Sequence, residues 1–386
     1  MREEQQLRSF LNILEAYPAN TPLNKFLPVF FKKNRQMGST DRRRASAFLY
    51  NYFRLGQALK DKPAAERLFI AQFLCSTTEN DFLQHFRPDL NAKVQIPLQD
   101  KIALLEPEGF RLADVFPFSE HLSHGMDAEE FLRSFFIQPD LFIRIHPDKE
   151  KIVKARLNEA EIPFQEIEPQ TLAMVNGTKL DQVFDAQHFP FEVQDLSSQQ
   201  TGQYFKPKPY ENWWDACAAS GGKSLLLYSL EPFIKLLVSD IRESVLNNLD
   251  SRFIGAGLRT YQKKVLDLTQ NADPFLHHYQ FDGIILDAPC SGSGTWGRTP
   301  EMICQFEESK IQVFQNLQKS IANQIVKYLK PGKPLIYITC SVFSQENEEV
   351  VNYLVQEHGL KLETSEIIKG YEHKADTMFV ARLTKS

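Results

Sequence analysis

The 386-residue chain is poor in cysteine, and its five cysteines lie far apart with no CxxC pair. That spacing argues against a secreted disulfide framework and against a thiolate metal site. His277 and His278 add no closely spaced ligand set, so no metal centre is expected. Long apolar runs are missing, since no stretch approaches the ~18 residues of a membrane-spanning helix. No apolar run follows the charges of MREEQQLRSF, so no signal peptide is expected, and a reduced, cytoplasmic setting fits best. Internal repeats and low-complexity segments are also absent.

What is present is an ordinary globular mix, 42% hydrophobic and 24% charged, long enough for two or three domains. The net charge of −5 is unevenly spread: residues 1–60 carry 11 Lys/Arg against 4 Asp/Glu, the remainder 33 against 45. A basic arm on an acidic body suits a polyanionic partner, and a solvated helical face accounts for it equally well.

Apolar spacing divides the chain. Leu7, Phe10, Leu11 and Leu14 share one helical face, as do Ala45, Phe48, Leu49, Tyr52 and Phe53, and Pro63 precedes another helical run through Phe73. A helical bundle over 1–125 follows. Residues 126–190 read as a small α+β module, with a strand from Leu141 to Ile145 and a charged helix in DKEKIVKARLNEAEI. From 191 to 386 short apolar runs end at Asp215, Asp240, Asp267 and Asp287, a fifth (PLIYIT) ends at Cys340, and helical stretches lie between, notably 305–329. This alternation predicts a parallel, doubly wound sheet, in which ligands bind beyond the carboxyl ends of the strands.

The loop DACAASGGKS, Asp215 to Ser224, follows one strand and opens a helix. Its small residues let backbone approach a ligand closely. A phosphate loop requires Gly five residues before Gly-Lys-Ser, where Cys217 stands, and this loop holds no GxGxxG. A loop for S-adenosylmethionine has no pyrophosphate to cradle. It needs small residues and then an acidic residue at the next strand end for the ribose hydroxyls. Asp240 lies 25 residues after Asp215, near the spacing of about 20 for ribose carboxylates. Asp267 is then placed towards the adenine. A glycine-rich turn with no ligand remains open on this loop alone.

Cys290 and Cys340 each sit in a tight turn at a strand's carboxyl end, a setting that suits a reactive thiolate. The usual fate of a free cysteine is a buried small hydrophobe, which suits Cys75 and Cys304. Cys217 needs only a small side chain for its place in the loop. Asp287 lies three residues before Cys290.

These segments resemble the RNA 5-cytosine methyltransferases, the family that includes a bacterial ribosomal RNA enzyme and eukaryotic nucleolar enzymes. DACAASGGKS is similar to the family's cofactor loop, ILDAPCSGSGTWGRTPEM to its Pro-Cys motif, and YITCSVFSQENEEVV to its Thr-Cys motif with a trailing Glu-Asn-Glu. FEVQDLSSQ resembles the segment before the cofactor loop, and ADTMFVARL the chain's last stretch. The resemblance is strong over 191–386 and weaker upstream. There PDLFIRIHP resembles the strand opening an RNA-recognition-like extension, and MGSTDRRRASAFLYNYFR part of a NusB-like domain.

The resemblance implies a Rossmann-like methyltransferase sheet at 191–386, a NusB-like RNA-binding domain at 1–125 and an RNA-recognition-like module at 126–190. It implies S-adenosylmethionine as cofactor, held by Cys217, Ala218, Ala219, Ser220, Gly221, Gly222, Lys223, Asp240, Asp267 and Asp287. Cys340 would add to carbon 6 of a cytosine, Cys290 would assist release of the methylated RNA, and Lys223 and Asp287 would face the base. The implied substrate is small-subunit ribosomal RNA, with transfer RNA as the alternative, and a catalytically silent RNA-binding assembly factor is the rival class. Lys32, Lys33, Arg35, Arg42, Arg43 and Arg44 are candidate phosphate contacts. A monomer without membrane association is expected. Three positions depart from the pattern. Ser220 stands for Pro, which should loosen the loop and weaken cofactor binding. His146 stands for Asn. Gly297 stands beside Arg298 where a second Arg is frequent, which should remove one RNA contact.

Overall fold

The computed structural model describes residues 2–19, 21–185 and 189–386. They form two compact units. The first holds residues up to Leu122, Asp127–Gln138 and, from far along the chain, Thr295–Glu308. The second holds Ser123–Met126, Pro139–Gly294 and Ser309–Ser386. Among the described residues no helix is long and apolar enough to cross a membrane.

The first unit is helical. Its leading helices are α1 (Arg2–Ala16), α2 (Leu23–Lys33), α3 (Ser39–Arg54) and α4 (Ala64–Cys75). The expected faces are the ones buried: Phe10 of α1 meets Ala45, Phe48, Leu49, Tyr52 and Phe53 of α3 in one apolar cluster. Phe10 packs a tilted ring against Tyr52 at 5.3 Å, a favourable offset for aromatic pairs. Trp296 and Phe306, from the distant segment, join Phe116 and Phe118 in a second set of ring contacts within this unit.

The second unit carries two sheets. The smaller is antiparallel, in the order β2 (Gln165–Glu168), β3 (Thr171–Met174), β1 (Leu141–Ile145), β4 (Phe191–Val193). Helix α5 (Glu150–Glu159) follows β1 and buries Val153 and Leu157 against it, as the charged amphipathic stretch predicts.

The larger sheet has seven strands, in the order β10-β11-β9-β8-β5-β6-β7. Strands β5 (Asn212–Asp215), β6 (Lys235–Asp240), β7 (Gln262–Val265), β8 (Gly283–Asp287) and β9 (Pro334–Thr339) run parallel. The C-terminal pair, β10 (Leu360–Ile368) and β11 (Met378–Lys385), is antiparallel and extends the β9 edge. Four helices matter to the site: α6 (Gly222–Leu230), α7 (Glu243–Gly255), α8 (Ser309–Ile325) and α9 (Glu348–His358).

Strand periodicity sorts side chains to two cores. Trp214, Leu237, Ile284 and Tyr337 face one, beneath α8 and α9. Trp213, Val238, Ile285 and Ile336 face the other, with Leu249 and Phe253 of α7. Gly283 is where β8 passes the Trp213 indole; a Cβ there would lie 2.5 Å from the ring.

The chain runs β5 to β6 to β7 in one direction, then crosses back to β8 and β9 on the other side of β5. Strand order therefore reverses between β5 and β8, where doubly wound sheets open a crevice at the carboxyl ends.

Candidate active site

Four expected strand ends reach that edge, at Asp215, Asp240, Asp287 and, just after Thr339, Cys340. The fifth differs. Strand β7 stops at Val265, and Asp267 is exposed, with Oδ1 bonded to the amide (2.9 Å) and hydroxyl (2.6 Å) of Thr269. It caps its own turn, as aspartate commonly does in loops.

The loop between β5 and α6 is tightly held. Ala218 N donates to Ser239 O at 2.8 Å and Ala219 N to Asp240 Oδ2 at 3.0 Å. Gly221 has φ +85, and a Cβ there would lie 2.4 Å from Phe253 Cε1 of α7. Glycine is required twice over, for the left-handed backbone and for the close helix. Burial raises the Cys217 thiol well above its ordinary value, which leaves it a small neutral side chain.

Asp240 is 5% exposed, and Arg242 holds it through Nε at 2.9 Å and Nη2 at 3.1 Å. Burial works against its ionised form, but the bonds from Arg242 and Ala219 prevail and lower its pKa. Asp215 is fully buried, accepts a 2.6 Å bond from Ser224 Oγ at Oδ2, and burial pushes it up to about 7. Its other oxygen, Oδ1, has no hydrogen-bond partner among the described residues.

Lys223 is buried at the start of α6, its Nζ 2.8 Å from Ser198 Oγ and 3.2 Å from Asp287 Oδ2. Ser198 in turn accepts from Gln194 at 3.1 Å. Both belong to FEVQDLSSQ, whose spacing alone gave them no role.

The two cysteines meet: Cys290 Sγ lies 3.3 Å from Cys340 Sγ. The contact with Cys340, then burial, raises the Cys290 thiol well above its ordinary value, so Cys290 rests protonated at neutral pH. Their turns are joined by a fully buried carboxylate, Glu346. It accepts from Ser291 N at 2.9 Å, Ser341 Oγ at 2.6 Å and Gln318 Nε2 at 2.8 Å. Asn347 completes the clasp by donating to Ser341 O at 2.9 Å. Glu346 and Asn347 are the first two residues of the trailing Glu-Asn-Glu, a signal visible in the sequence without its meaning. Cys75 and Cys304 lie apart from this cluster, and burial pushes each up to about 11.

Gly292-Ser-Gly-Thr-Trp-Gly297 does meet the GxGxxG spacing, yet it runs into the short turn Ser293–Thr295 rather than a helix. It therefore lacks the helix N-terminus that a pyrophosphate needs. Glu120, His121 and Glu308 bring potential ligand atoms within 4.8 Å of one another in the helical unit, but Glu120 and Glu308 are exposed.

A doubly wound sheet with a small-residue loop after β5, an acidic end on β6 and reactive side chains on β8 and β9 defines a Rossmann-like methyltransferase domain. Residues 202–384 match the family described as 16S rRNA methyltransferase RsmB/F, and this part of the chain is similar to that family. Ribosomal RNA small subunit methyltransferase B of Shewanella oneidensis is 35% identical over 210 residues, 50% of this chain and 47% of the relative. The Klebsiella pneumoniae protein of the same name is 33% identical over 159 residues, 41% of this chain and 36% of the relative. The chain spans about half the length of the curated relatives it matches. Two solved structures share the fold. PH0851 has a TM-score of 0.71 at 22% identity, covering 92% of this chain and 93% of its own. NSun6 from Pyrococcus horikoshii, solved with SFG, has a TM-score of 0.59 at 16% identity, covering 70% of this chain and 97% of its own.

Proposed function

We propose that this protein methylates carbon 5 of a cytosine in RNA, with S-adenosylmethionine as donor and small-subunit ribosomal RNA as substrate. The observation that carries this reading is the Cys290–Cys340 contact at 3.3 Å, on turns that follow adjacent strands of a methyltransferase sheet. The small-subunit substrate is proposed from the names of the relatives.

The residues fit the cofactor. Asp240 lies at the β6 end, where ribose hydroxyls can bond to a carboxylate. Residues 217–223, Asp240 and Asp287 would hold the cofactor. Asp267, turned into its own loop, is the weakest member of that set. SFG, bound in the NSun6 structure, is an analogue of this cofactor.

When bound, the cofactor supplies an electrophilic methyl group. The chain supplies the rest. Carbon 5 of cytosine is too weak a nucleophile, so the Cys340 thiolate adds to carbon 6 and makes carbon 5 enamine-like. Asp287, held by Lys223, bonds the ring nitrogen and exocyclic amine, which favours the protonated ring that accepts the thiolate. Once carbon 5 carries the methyl group, its proton passes to a base such as water, the C–H pair restores the carbon 5–carbon 6 double bond, and the carbon 6–sulfur bond breaks to return Cys340 as the thiolate. Cys290, resting as a thiol beside Cys340, assists release. The base must leave its stack to reach these groups.

Cys340→Ala should abolish turnover, and Cys290→Ala should accumulate a covalent protein–RNA adduct, seen as a retarded band on a denaturing gel. The reverse pattern would exchange the two roles. Bisulfite sequencing of RNA from cells with and without the gene separates ribosomal from transfer RNA.

A further inference from the structure

Ser220 sits at the crown of the cofactor loop, where the sequence offers no conformational restraint. The structure supplies one from outside the loop. Arg252, near the end of α7, donates through Nη1 to both Ser220 O (2.8 Å) and Ser220 Oγ (2.7 Å). Its other edge is seated on Glu192 of β4, with Nη2 at 2.5 Å and Nε at 3.2 Å from Oε2. The second oxygen of Glu192 meets His146 Nε2 at 3.2 Å, just beyond β1. Glu192 is buried, and burial opposes its charge, but its bonds to His146 and Arg252 prevail and lower its pKa.

The seat is rigid. Glu192 pairs with Arg144 across β4 and β1. Arg144 itself is buried and bonds Gln194 at 2.9 Å and Ser229 of α6 at 3.0 Å. The same helix α7 that carries Arg252 also places Phe253 against Gly221. One turn of α7 therefore grips two successive loop residues, one by a fork of hydrogen bonds and one by an aromatic ring.

We infer that Arg252, Glu192 and His146 are positioning residues that hold the cofactor loop in its binding shape, tying it at Ser220 to the four-stranded sheet. The inference rests on the S-adenosylmethionine reading of this loop. A loop ordered before binding loses less freedom when ligand arrives, so the brace acts on affinity for the cofactor. Arginine is required because its planar fork spans Glu192 and two acceptors of Ser220 at once, which a lysine ammonium on a flexible stem cannot do.

The test is calorimetric titration of the full chain with S-adenosylmethionine, alongside turnover on RNA. If the wild-type protein binds no S-adenosylmethionine, the cofactor reading itself fails. If it binds, Arg252→Lys, which keeps a cation beside Glu192, should weaken binding about tenfold, on the scale of a lost charge-assisted bond. Turnover at saturating cofactor should fall far less than affinity. A merely structural role would instead lower the melting temperature and the fraction of active protein without raising Kd. Ser220→Ala removes one acceptor and disturbs no packing, so it serves should the Arg252 variant not fold; about a threefold loss is expected. The double variant should bind no worse than Arg252→Lys alone, because the two side chains form one interaction. Unchanged affinity in either single variant, or losses that multiply in the double, would overturn the brace.

Discussion

Asp215 is a carboxylate sealed from water, and burial pushes it up to about 7. Its folded value lies above the unfolded one, so its contribution to stability is complete below about pH 4 and is lost as pH rises through about 7. Asp215→Asn keeps an acceptor for Ser224 and cannot ionise. The stability of this variant relative to wild type should therefore improve between pH 4 and pH 8, by up to about 4 kcal/mol. Urea unfolding at both pH values measures the difference, and parallel curves would refute it. The sequence placed Asp215 at a strand end correctly. It could not show which of five neighbouring strand ends would be dry, because that depends on what packs above the sheet. The same limit applies to Ser220. Read locally, serine loosens the loop; in the structure it is a hydrogen-bond acceptor for Arg252, 32 residues away.

Among elements, the loop after β5 and the clasp joining the two cysteine turns carry the site. Gly221→Ala would force a left-handed residue against Phe253 and should cost about 1–3 kcal/mol, with loss of cofactor binding. Unchanged affinity would show that the loop tolerates the shift. Glu346 accepts three bonds, and glutamine in its place turns one acceptor into a donor facing other donors. Glu346→Gln should cost about 1–3 kcal/mol and lower the rate of adduct formation at Cys340, measured by quenched single-turnover gels. Strands β5, β6, β8 and β9 were legible because buried parallel strands are short apolar runs with polar ends. Strand β7 was less so. Its residues Gln262–Val265 are largely exposed at the sheet edge, where no apolar run marks the end. The clasp was legible only as a short polar string after the Thr-Cys turn, since a buried glutamate is recognised by its partners rather than its neighbours in sequence.

At the scale of the whole molecule, composition and periodicity set the change from helical to α/β sequence at residue 125, whereas the helical unit also takes in Asp127–Gln138. They did not show that Thr295–Glu308, beside the Cys290 turn, belongs with the helices. Trp296, Ile303 and Phe306 are buried there, yet the run reads as an ordinary loop and short helix of the α/β half. A chain reduced to residues 139–386 would leave these side chains without their partners. It should bind a hydrophobic dye and aggregate, and replacing 295–308 by a short polar linker should reverse both. A soluble, dye-silent 139–386 would overturn this expectation.

That returning segment also sets an order of events during synthesis. Most of the helical unit is made before the sheets of the second unit, and domains made earlier usually fold earlier. Here its last piece is not available until Glu308 has been made, after both turns of β5 and β8 have been laid down. Until then Phe116 and Phe118 wait for Trp296 and Phe306. Of the two units, the one that starts earlier is thus obliged to finish late, and the growing chain must carry an open apolar surface from Phe118 until Phe306 has been made.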